Sequence, residues 1–453
     1  MKLALLVFSI GLAAQPLALL RENPHYFVFR GKPTVLVTSG EHYGAVLNAR
    51  FDFKKYLDTL AADGLNHTRI FTGLYREVPG SFNIARNTLA PEAADFVSPF
   101  VRDSSGVYDL TTWNAAYFAR LKEFMAYAGE RGIVVEVCLT TTHYNDTHWK
   151  LTPWQNNRNG VGAGLAHTDP WTLKDAKLQG VLDTFVEKMA RELAAFDNFY
   201  FEICNEPYIG GPTLEWQRHM AAVIRKADGG RHLISQNIAN HEQTVTAPDG
   251  NVSVFNFHYA RPPRAVTQNY TLRRPIGMNE TGFDGADDAT YRIQAWDFLV
   301  AGGALYNNLD YSFTVGHEDG SFGAPATTPG GGSAGLRKQL GFLRRVFAGL
   351  DLAVMAPAEG VASQGRCLGA STGTMYLCYA HYGELRNAYR PRYAVETSKK
   401  TVAWRMQLPE GRYEAIWWDP KTGKELGRGS WQAGTPLTTP EHSEDIALEL
   451  RRL

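Results

Sequence analysis

Short apolar runs alternate with amphipathic stretches along most of the chain, from residue 34 to about residue 350. Between most of these runs, apolar residues recur at the three- to four-residue spacing of a helix face, as in Trp113, Tyr117, Leu121 and Phe124. Strands that alternate with helices form parallel sheets, so eight such units predict an α/β fold, a closed (β/α)8 or TIM barrel. The eight predicted strands are residues 34–40, 67–73, 133–141, 199–205, 232–239, 252–259, 275–279 and 303–313.

Two connections are far longer than the usual few residues. They run over residues 74–112 and 142–170, after the second and third strands. Both follow strands, so both should lie at the carboxyl end of the barrel and help to form a cleft. Residues 26–33, turning at Gly31-Lys32, predict a hairpin that caps the opposite end, and the Gly- and Pro-rich residues 323–335 predict a loop before the last helix.

After Leu352 the pattern changes to short alternating runs separated by turns such as Pro409-Glu-Gly411. This pattern is typical of antiparallel strands and predicts a small all-β sandwich. We therefore divide the chain into a barrel with its N-terminal hairpin at 19–352 and a β-sandwich domain at 353–453.

The first residues are typical of a secretory signal peptide. Lys2 is followed by an apolar stretch over residues 3–14 and then by small residues up to Ala18. We predict a signal peptide at residues 1–18, cleaved somewhere in 14–20, and a secreted or periplasmic protein; the alternatives are a buried N-terminal strand or a misplaced start codon. The stretch is too short to span a bilayer, and no other stretch is long enough, so no membrane association is expected after cleavage.

Charge and cysteine content narrow the classes of partner and cofactor. Lys and Arg total 46, as do Asp and Glu, so there is no basic excess to neutralise phosphates and nucleic acid is not an expected partner. No Cys/His spacing resembles a zinc site, and no cofactor or metal is predicted. Cys367 and Cys378 flank a turn and would face each other in a hairpin, which leaves a disulfide open.

Two glutamates carry the candidate chemistry. Glu206, in Asn205-Glu206-Pro207, follows the fourth predicted strand, and Glu280, in Asn279-Glu280-Thr-Gly, follows the seventh. Parallel barrel strands place functional groups at that end, so the two carboxylates should meet. Such a pair can perform acid/base and nucleophilic work on a glycosidic bond. The alternative is that both only anchor loops.

These motifs, within the eight-unit pattern, resemble the clan A glycoside hydrolases, the cellulase-like retaining enzymes, over about residues 34–350. The resemblance implies a carbohydrate substrate, Glu206 as acid/base and Glu280 as nucleophile. It also implies that Asn205 hydrogen-bonds the sugar 2-hydroxyl and that Arg69 lies beside the nucleophile. Arg69 is then expected to keep Glu280 ionised, and a desolvated site is expected to raise the pKa of Glu206.

The chain departs from the clan at two strands. The clan often carries a His and a Tyr two residues apart after the sixth strand, whereas His258 and Tyr259 are adjacent here. Either Tyr259 or Tyr311 could therefore contact the nucleophile, with His258 in the cleft. The eighth strand lacks the clan's tryptophan platform, for which Tyr306 or Tyr311 could substitute.

Several other residues could either bind substrate or serve only in packing. His42 follows the first strand, where it could bind substrate or belong to a helix cap, and Asp310 could bind a hydroxyl or support Arg69. The loop 142–170 mixes aromatic and hydrogen-bonding groups and predicts a sugar subsite that sets substrate choice. Its candidates are His143, Tyr144, Trp149 and Trp154.

Glu136 and Glu202 lie in mid-strand and are interpreted as structural polar groups. Three other functions remain open: a transglycosylase or exo-acting glycosidase with the same residues, an inactive barrel that binds carbohydrate, and a metal-dependent barrel hydrolase. The absence of a His-x-His pair on the first strand argues against the last.

Overall fold

A computed structural model of the protein describes residues 15–384 and 394–453. Its centre is a parallel sheet of eight strands in which each strand from β3 to β8 pairs with the one before it in chain order, and β8 pairs with β1. The predicted (β/α)8 barrel is confirmed. The strands are β1 (Leu36–Gly40), β2 (His67–Phe71), β3 (Val134–Thr141), β4 (Phe199–Asn205), β5 (Ile234–Asn240), β6 (Val254–His258), β7 (Ile276–Glu280) and β8 (Leu305–Leu309).

The gap between β1 and β2 is closed by the side chain of Asn66. Its Nδ2 donates to the carbonyl of Val35 at 2.9 Å, and its Oδ1 accepts from the amide of Val37 at 2.9 Å. An amide side chain carries the same donor and acceptor as a peptide group, so Asn66 satisfies backbone groups that strand pairing would otherwise satisfy.

In the described part of the chain, seven helices of six or more residues pack around the sheet, and a four-residue helix, Asp146–Trp149, lies in the loop after β3. Six of them begin after an Asp, Asn, Thr or Ser whose side chain accepts a backbone N–H of the first turn, the arrangement that satisfies the free donors at a helix start. No helix follows β5 in the described residues. The helices are α1 (Phe53–Ala62), α2 (Ala115–Glu130), α3 (Ala176–Leu193), α4 (Leu214–Asp228), α5 (Arg264–Asn269), α6 (Asp288–Val300) and α7 (Ala334–Ala348).

The amino-terminal end of the barrel is covered by a three-stranded antiparallel sheet of Ala18–Leu19, Phe27–Phe29 and Lys32–Thr34, which contains the predicted hairpin. Leu17 is buried, and its amide donates to the carbonyl of Asp197 at 2.9 Å. Residues 1–14 of the predicted signal peptide lie outside the described residues.

The chain after the barrel forms the predicted β domain. Its main sheet is antiparallel, in the order β9-β10-β11-β14-β12-β13. Cys367 and Cys378 are directly opposed in this sheet and form a disulfide. The strands are β9 (Met355–Pro357), β10 (Arg366–Ala370), β11 (Met375–His381), β12 (Arg412–Trp418), β13 (Glu425–Gln432) and β14 (Asp445–Arg452).

The β-domain sheet has an apolar core on both faces. On one face, Tyr379 stacks on Trp296 of α6 at 5.3 Å between ring centroids, which joins the sheet to the barrel. On the other face, Trp417 packs edge-on against Trp404, which belongs to a ribbon of Ala403–Trp404 and Leu437–Thr438. The structure has no helix in its described ranges that is long and apolar enough to cross a membrane.

Candidate active site

The carboxyl ends of the barrel strands surround a cavity of about 250 Å³. Acidic and amide groups and many aromatic rings form its wall, a mixture that suits a small polar ligand with apolar faces. The lining residues are His42, Tyr43, Phe71, Glu77, Phe82, Leu89, Tyr144, Asn205, Glu206, Ile209, Asn240, Tyr259, Glu280 and Phe283.

Glu206 and Glu280 meet in this cavity. Glu280 is the last residue of β7, and Glu206 directly follows β4. Glu206 has a φ of 49°, a left-handed conformation that is uncommon for a residue with a side chain and that clusters at functional sites. One carboxylate oxygen of each glutamate lies within 4.8 Å of the other.

Glu280 is held by donors that lie in β2 or just after β1 and β6. Arg69 Nη1 donates to its Oε2 at 3.1 Å, and the hydroxyl of Tyr259 donates to its Oε1 at 2.7 Å. The hydroxyl of Tyr43 lies 3.5 Å from Oε2. Tyr259, rather than Tyr311, therefore contacts this carboxylate. The pairing of β6 with β7 shifts register between Phe257 and His258, where the spacing differs from the clan pattern.

Arg69 is fixed inside the barrel by Glu202. The Glu202 carboxylate accepts from Arg69 Nε at 2.7 Å and also from Nη2, and Asn205 Oδ1 accepts from Nη2 at 2.8 Å. The guanidinium carbon lies 4.6 Å from the ring centroid of Tyr43. A bidentate pair holds the guanidinium plane in one orientation. Glu202 has the structural role predicted for it, because it orients the Arg69 guanidinium toward Glu280.

Glu136 lies beside this ion pair, with its Oε2 3.8 Å from Arg69 Nε. Burial, and then the nearby charge of Glu202, raise the pKa of Glu136 to about 8. Its carboxyl accepts from Ser235, Asn256 and Asn279. Glu136 therefore joins polar groups of β5, β6 and β7 beneath the site.

His258 is oriented by an amide chain that starts at Glu136. Asn279 Nδ2 donates to Glu136 and, at 3.3 Å, to Asn237 Oδ1; Asn237 Nδ2 faces His258 Nε2 at 3.0 Å. An amide nitrogen can only donate, so Nε2 accepts and the ring proton is on Nδ1. Nδ1 lies 3.3 Å from Glu206 Oε1 and 3.6 Å from Glu280 Oε1, so the buried ring presents a donor to both carboxylates.

Glu206, His258 and Glu280 form the one group among the described residues whose spacing could hold a metal ion. A metal would need the Nδ1 lone pair of His258. The proton that the amide chain places on Nδ1 occupies that position, so the group is described as two carboxylates that face one buried imidazole.

The expectation of a raised pKa for Glu206 is wrong. Burial raises the pKa of this carboxyl, but His258, the hydroxyl of Tyr144 and the charge of Arg69 oppose it, and the net direction is downward. Tyr144 donates to Glu206 Oε2 and accepts from Asn205 Nδ2 at 2.9 Å. Donors that stabilise the ionised form outweigh desolvation here.

His42 lines the cavity as predicted for a binding residue, and its Nε2 lies 3.6 Å from Glu77 Oε1. Glu77 accepts from the hydroxyl of Tyr75 at 3.0 Å and from Asn87 Nδ2. The sequence analysis missed Glu77, Phe82, Ile209 and Phe283. All four lie outside the barrel's strands and α-helices, in segments that lack the periodicity that locates strand ends.

Three predicted sugar-binding residues of the loop 142–170 are instead buried in the core of that loop. Trp149 donates through Nε1 to the carbonyl of Leu165 at 3.1 Å, and Trp154 is fully buried against Trp171. Burial lowers the pKa of His143 to about 3, so this ring is neutral. None of the three lines the cavity, and the prediction that they bind sugar is corrected. Only Tyr144 of this set reaches the cavity.

Asp310 and Tyr311 also lie behind the cavity wall. Asp310 is buried, accepts from Arg337 Nη1 at 2.9 Å and accepts from Ser39 Oγ at 2.9 Å; it supports Arg337 and not Arg69. The ring of Tyr311 is 6.0 Å from His42, and the Tyr306 hydroxyl donates to the carbonyl of Tyr291. Neither tyrosine offers a face to the cavity, so the expected platform on β8 is not there.

Comparison with known proteins agrees with this geometry. Residues 30–296 match the family model described as Cellulase (glycosyl hydrolase family 5). Among solved structures, the fold is similar to a protein described as a glycoside hydrolase, with a TM-score of 0.65, 14% identity and 97% of each chain covered. It is also similar to a family 5 glycoside hydrolase from Bacteroides vulgatus, with a TM-score of 0.64, 14% identity and coverage of 96% of this chain and 93% of that one. At this identity the two structures show a shared fold. Among curated proteins, no match is found.

Proposed function

We propose that this chain, which belongs to glycosyl hydrolase family 5 in the retaining clan A, hydrolyses a β-linked glycan or glycoside by double displacement. In this proposal Glu280 is the nucleophile and Glu206 is the acid/base. The observation that supports it most strongly is the approach of the two carboxylates to within 4.8 Å. Retaining enzymes hold their carboxyl groups roughly 5–5.5 Å apart, too close for a water molecule to attack between them.

The two glutamates act in two steps, and the surroundings of Glu280 suit a nucleophile. In the first step, Glu280 attacks the anomeric carbon as the bond to the leaving oxygen breaks, and Glu206 gives that oxygen its proton. In the second step, Glu206 takes a proton from water, whose oxygen attacks the anomeric carbon and releases Glu280. Arg69 and Tyr259 donate to Glu280, so they orient its attacking carboxylate.

The test combines covalent trapping of the nucleophile with identification of the product anomer. A panel of activated 2-deoxy-2-fluoro β-glycosides should inactivate the protein, and peptide mapping should find the sugar on Glu280. Proton NMR during hydrolysis of the corresponding β-glycoside without fluorine should show the β anomer of the released sugar first. A label on another residue would contradict the assignment of Glu280, and an α anomer would indicate single displacement. A barrel that only binds carbohydrate would give neither label nor product.

The second part of the proposal is that the protein is exported after cleavage before Leu17. Leu17 is buried, and Ala18–Leu19 is a strand paired with Phe27–Phe29. Cleavage after Ala18 would remove the buried Leu17 side chain and half of that strand, whereas cleavage near Ala14 leaves both in place. Amino-terminal sequencing of protein from the medium or periplasm should start between residues 15 and 17. A start at residue 19 or later, or retention of Met1 in the cytoplasm, would contradict this.

A further inference from the structure

The mouth of the cavity carries two exposed apolar side chains. Among the described residues, only five large hydrophobic side chains are strongly exposed, and two of them, Phe82 at 39% and Ile209 at 38%, line this cavity. The other three are Val101, Leu214 and Leu453. Single exposed apolar residues need no explanation, but two on one binding cavity indicate a surface that an apolar group covers.

Phe82 is held at the mouth by its backbone and its neighbours. It has a φ of 53°, and Asn83 follows with a φ of 60°, so two residues with side chains are left-handed in one turn. Bulky residues adopt this conformation only where their surroundings impose it, often at ligand sites. The ring packs edge-on against Tyr144 at 5.3 Å and lies 5.9 Å from His148. The exposed face is thus pre-positioned.

Both side chains lie on the Glu206 side of the cavity. Phe82 packs on Tyr144, whose hydroxyl donates to Glu206, and Ile209 belongs to the turn whose amide donates to the Glu206 carbonyl at 3.0 Å. The acid of a glycosidase protonates the leaving oxygen, so the leaving group lies on the acid's side. Phe82 and Ile209 therefore flank the place of the leaving group, and this step rests on the proposed function.

We propose that Phe82 and Ile209 form an apolar aglycone site, and that the preferred substrates are β-glycosides of a flat apolar alcohol such as a phenol. A second sugar would bring several hydroxyls to this surface, and those that face the two apolar side chains would lose water without gaining a hydrogen bond from them. Asn240 offers an amide on this side, but its Oδ1 already accepts from Tyr208 at 2.7 Å. Glu77 and His42 also line the cavity, with His42 Nε2 3.6 Å from Glu77 Oε1.

The test compares three substrates of the sugar that the trapping experiment identifies: its 4-methylumbelliferyl β-glycoside, its β-linked disaccharide and its glycosyl fluoride. The wild type should prefer the aryl glycoside over the disaccharide in kcat/KM. Phe82→Ala and Ile209→Ala should each lower kcat/KM for the aryl glycoside by about 10- to 100-fold, the effect of removing one large apolar contact. The fluoride has no aglycone and should be unaffected. Leu214→Ala, an exposed leucine that does not line the cavity, is the matched control.

Two results would overturn the proposal. One is an equal loss on the aryl glycoside and the disaccharide, which would mean that the two side chains bind a second sugar. The other is an equal loss on all three substrates, which would mean that they only support the fold. If the wild type hydrolyses none of the three, the proposed function fails. Binding of free 4-methylumbelliferone then tests independently whether Phe82 and Ile209 form an apolar binding site. Calorimetry should show that Phe82→Ala weakens this binding and Leu214→Ala does not; binding unchanged in both would contradict the site.

Discussion

The Glu206→Ala variant is expected to lose about 10²- to 10⁴-fold in kcat/KM on substrates with poor leaving groups, the range that general acid catalysis contributes. Substrates whose leaving group is a weak base should lose much less, because they depart without a proton. A series of aryl β-glycosides with leaving groups of rising basicity measures this. Azide should restore part of the rate by attacking the glycosyl-enzyme, with a β-glycosyl azide as product. An equal loss across the series, without rescue by azide, would contradict the acid/base role.

The same variant has a pH signature. The neighbours of Glu206 lower its pKa below the ordinary value for glutamate. In the free enzyme, the protonated form of Glu206 is therefore lost as the pH rises through that lowered pKa. kcat/KM reports the free enzyme and should therefore fall from acidic pH upward in the wild type. That fall should be absent in Glu206→Ala. Tyr144→Phe removes one donor to the ionised carboxylate, so the fall should move to higher pH; a shift to lower pH would contradict this interpretation.

The Arg292→Met variant is expected to lower the free energy of unfolding by about 3–5 kcal/mol, the cost of leaving one partner of a buried ion pair unpaired. Arg292 of α6 is buried and donates to Asp445 of β14 at 2.9 and 3.0 Å and to Glu444 at 2.7 Å. The hydroxyl of Tyr379 also donates to Asp445 at 2.9 Å. This cluster joins the barrel to the β domain, so its loss should destabilise the whole chain.

Urea unfolding followed by tryptophan fluorescence and circular dichroism measures this effect, and coincident transitions show whether the two parts unfold together. Arg264→Met is the matched control, because Arg264 pairs with Glu242 at 3.1 Å on the surface and its loss should cost only about 0–1 kcal/mol. Adding Asp445→Leu to Arg292→Met should recover part of the loss. Equal midpoints for Arg292→Met and Arg264→Met would mean that the buried cluster does not hold the domains together.

The sequence by itself determined the barrel, the β domain and the meeting of Glu206 with Glu280. Alternating apolar runs specify strands locally, and the ends of parallel strands converge wherever the barrel closes. Glu206 and Glu280 each end such a run, so no loop conformation was needed to bring them together. Arg69 could be placed beside them for the same reason, since it lies within β2 and points to the barrel interior.

The tertiary structure alone decided what surrounds that pair. A register shift between β6 and β7, which the pattern of β6 does not reveal, gives Glu280 the hydroxyl of Tyr259 and not that of Tyr311. Trp149 and Trp154 have the composition of a sugar platform, yet their rings fill the core of their own loop, because an aromatic side chain serves burial and binding equally well. The pKa of Glu206 is lowered because Tyr144, which follows β3, and His258, the last residue of β6, contact its carboxylate. Such contacts between distant segments depend on the closed barrel.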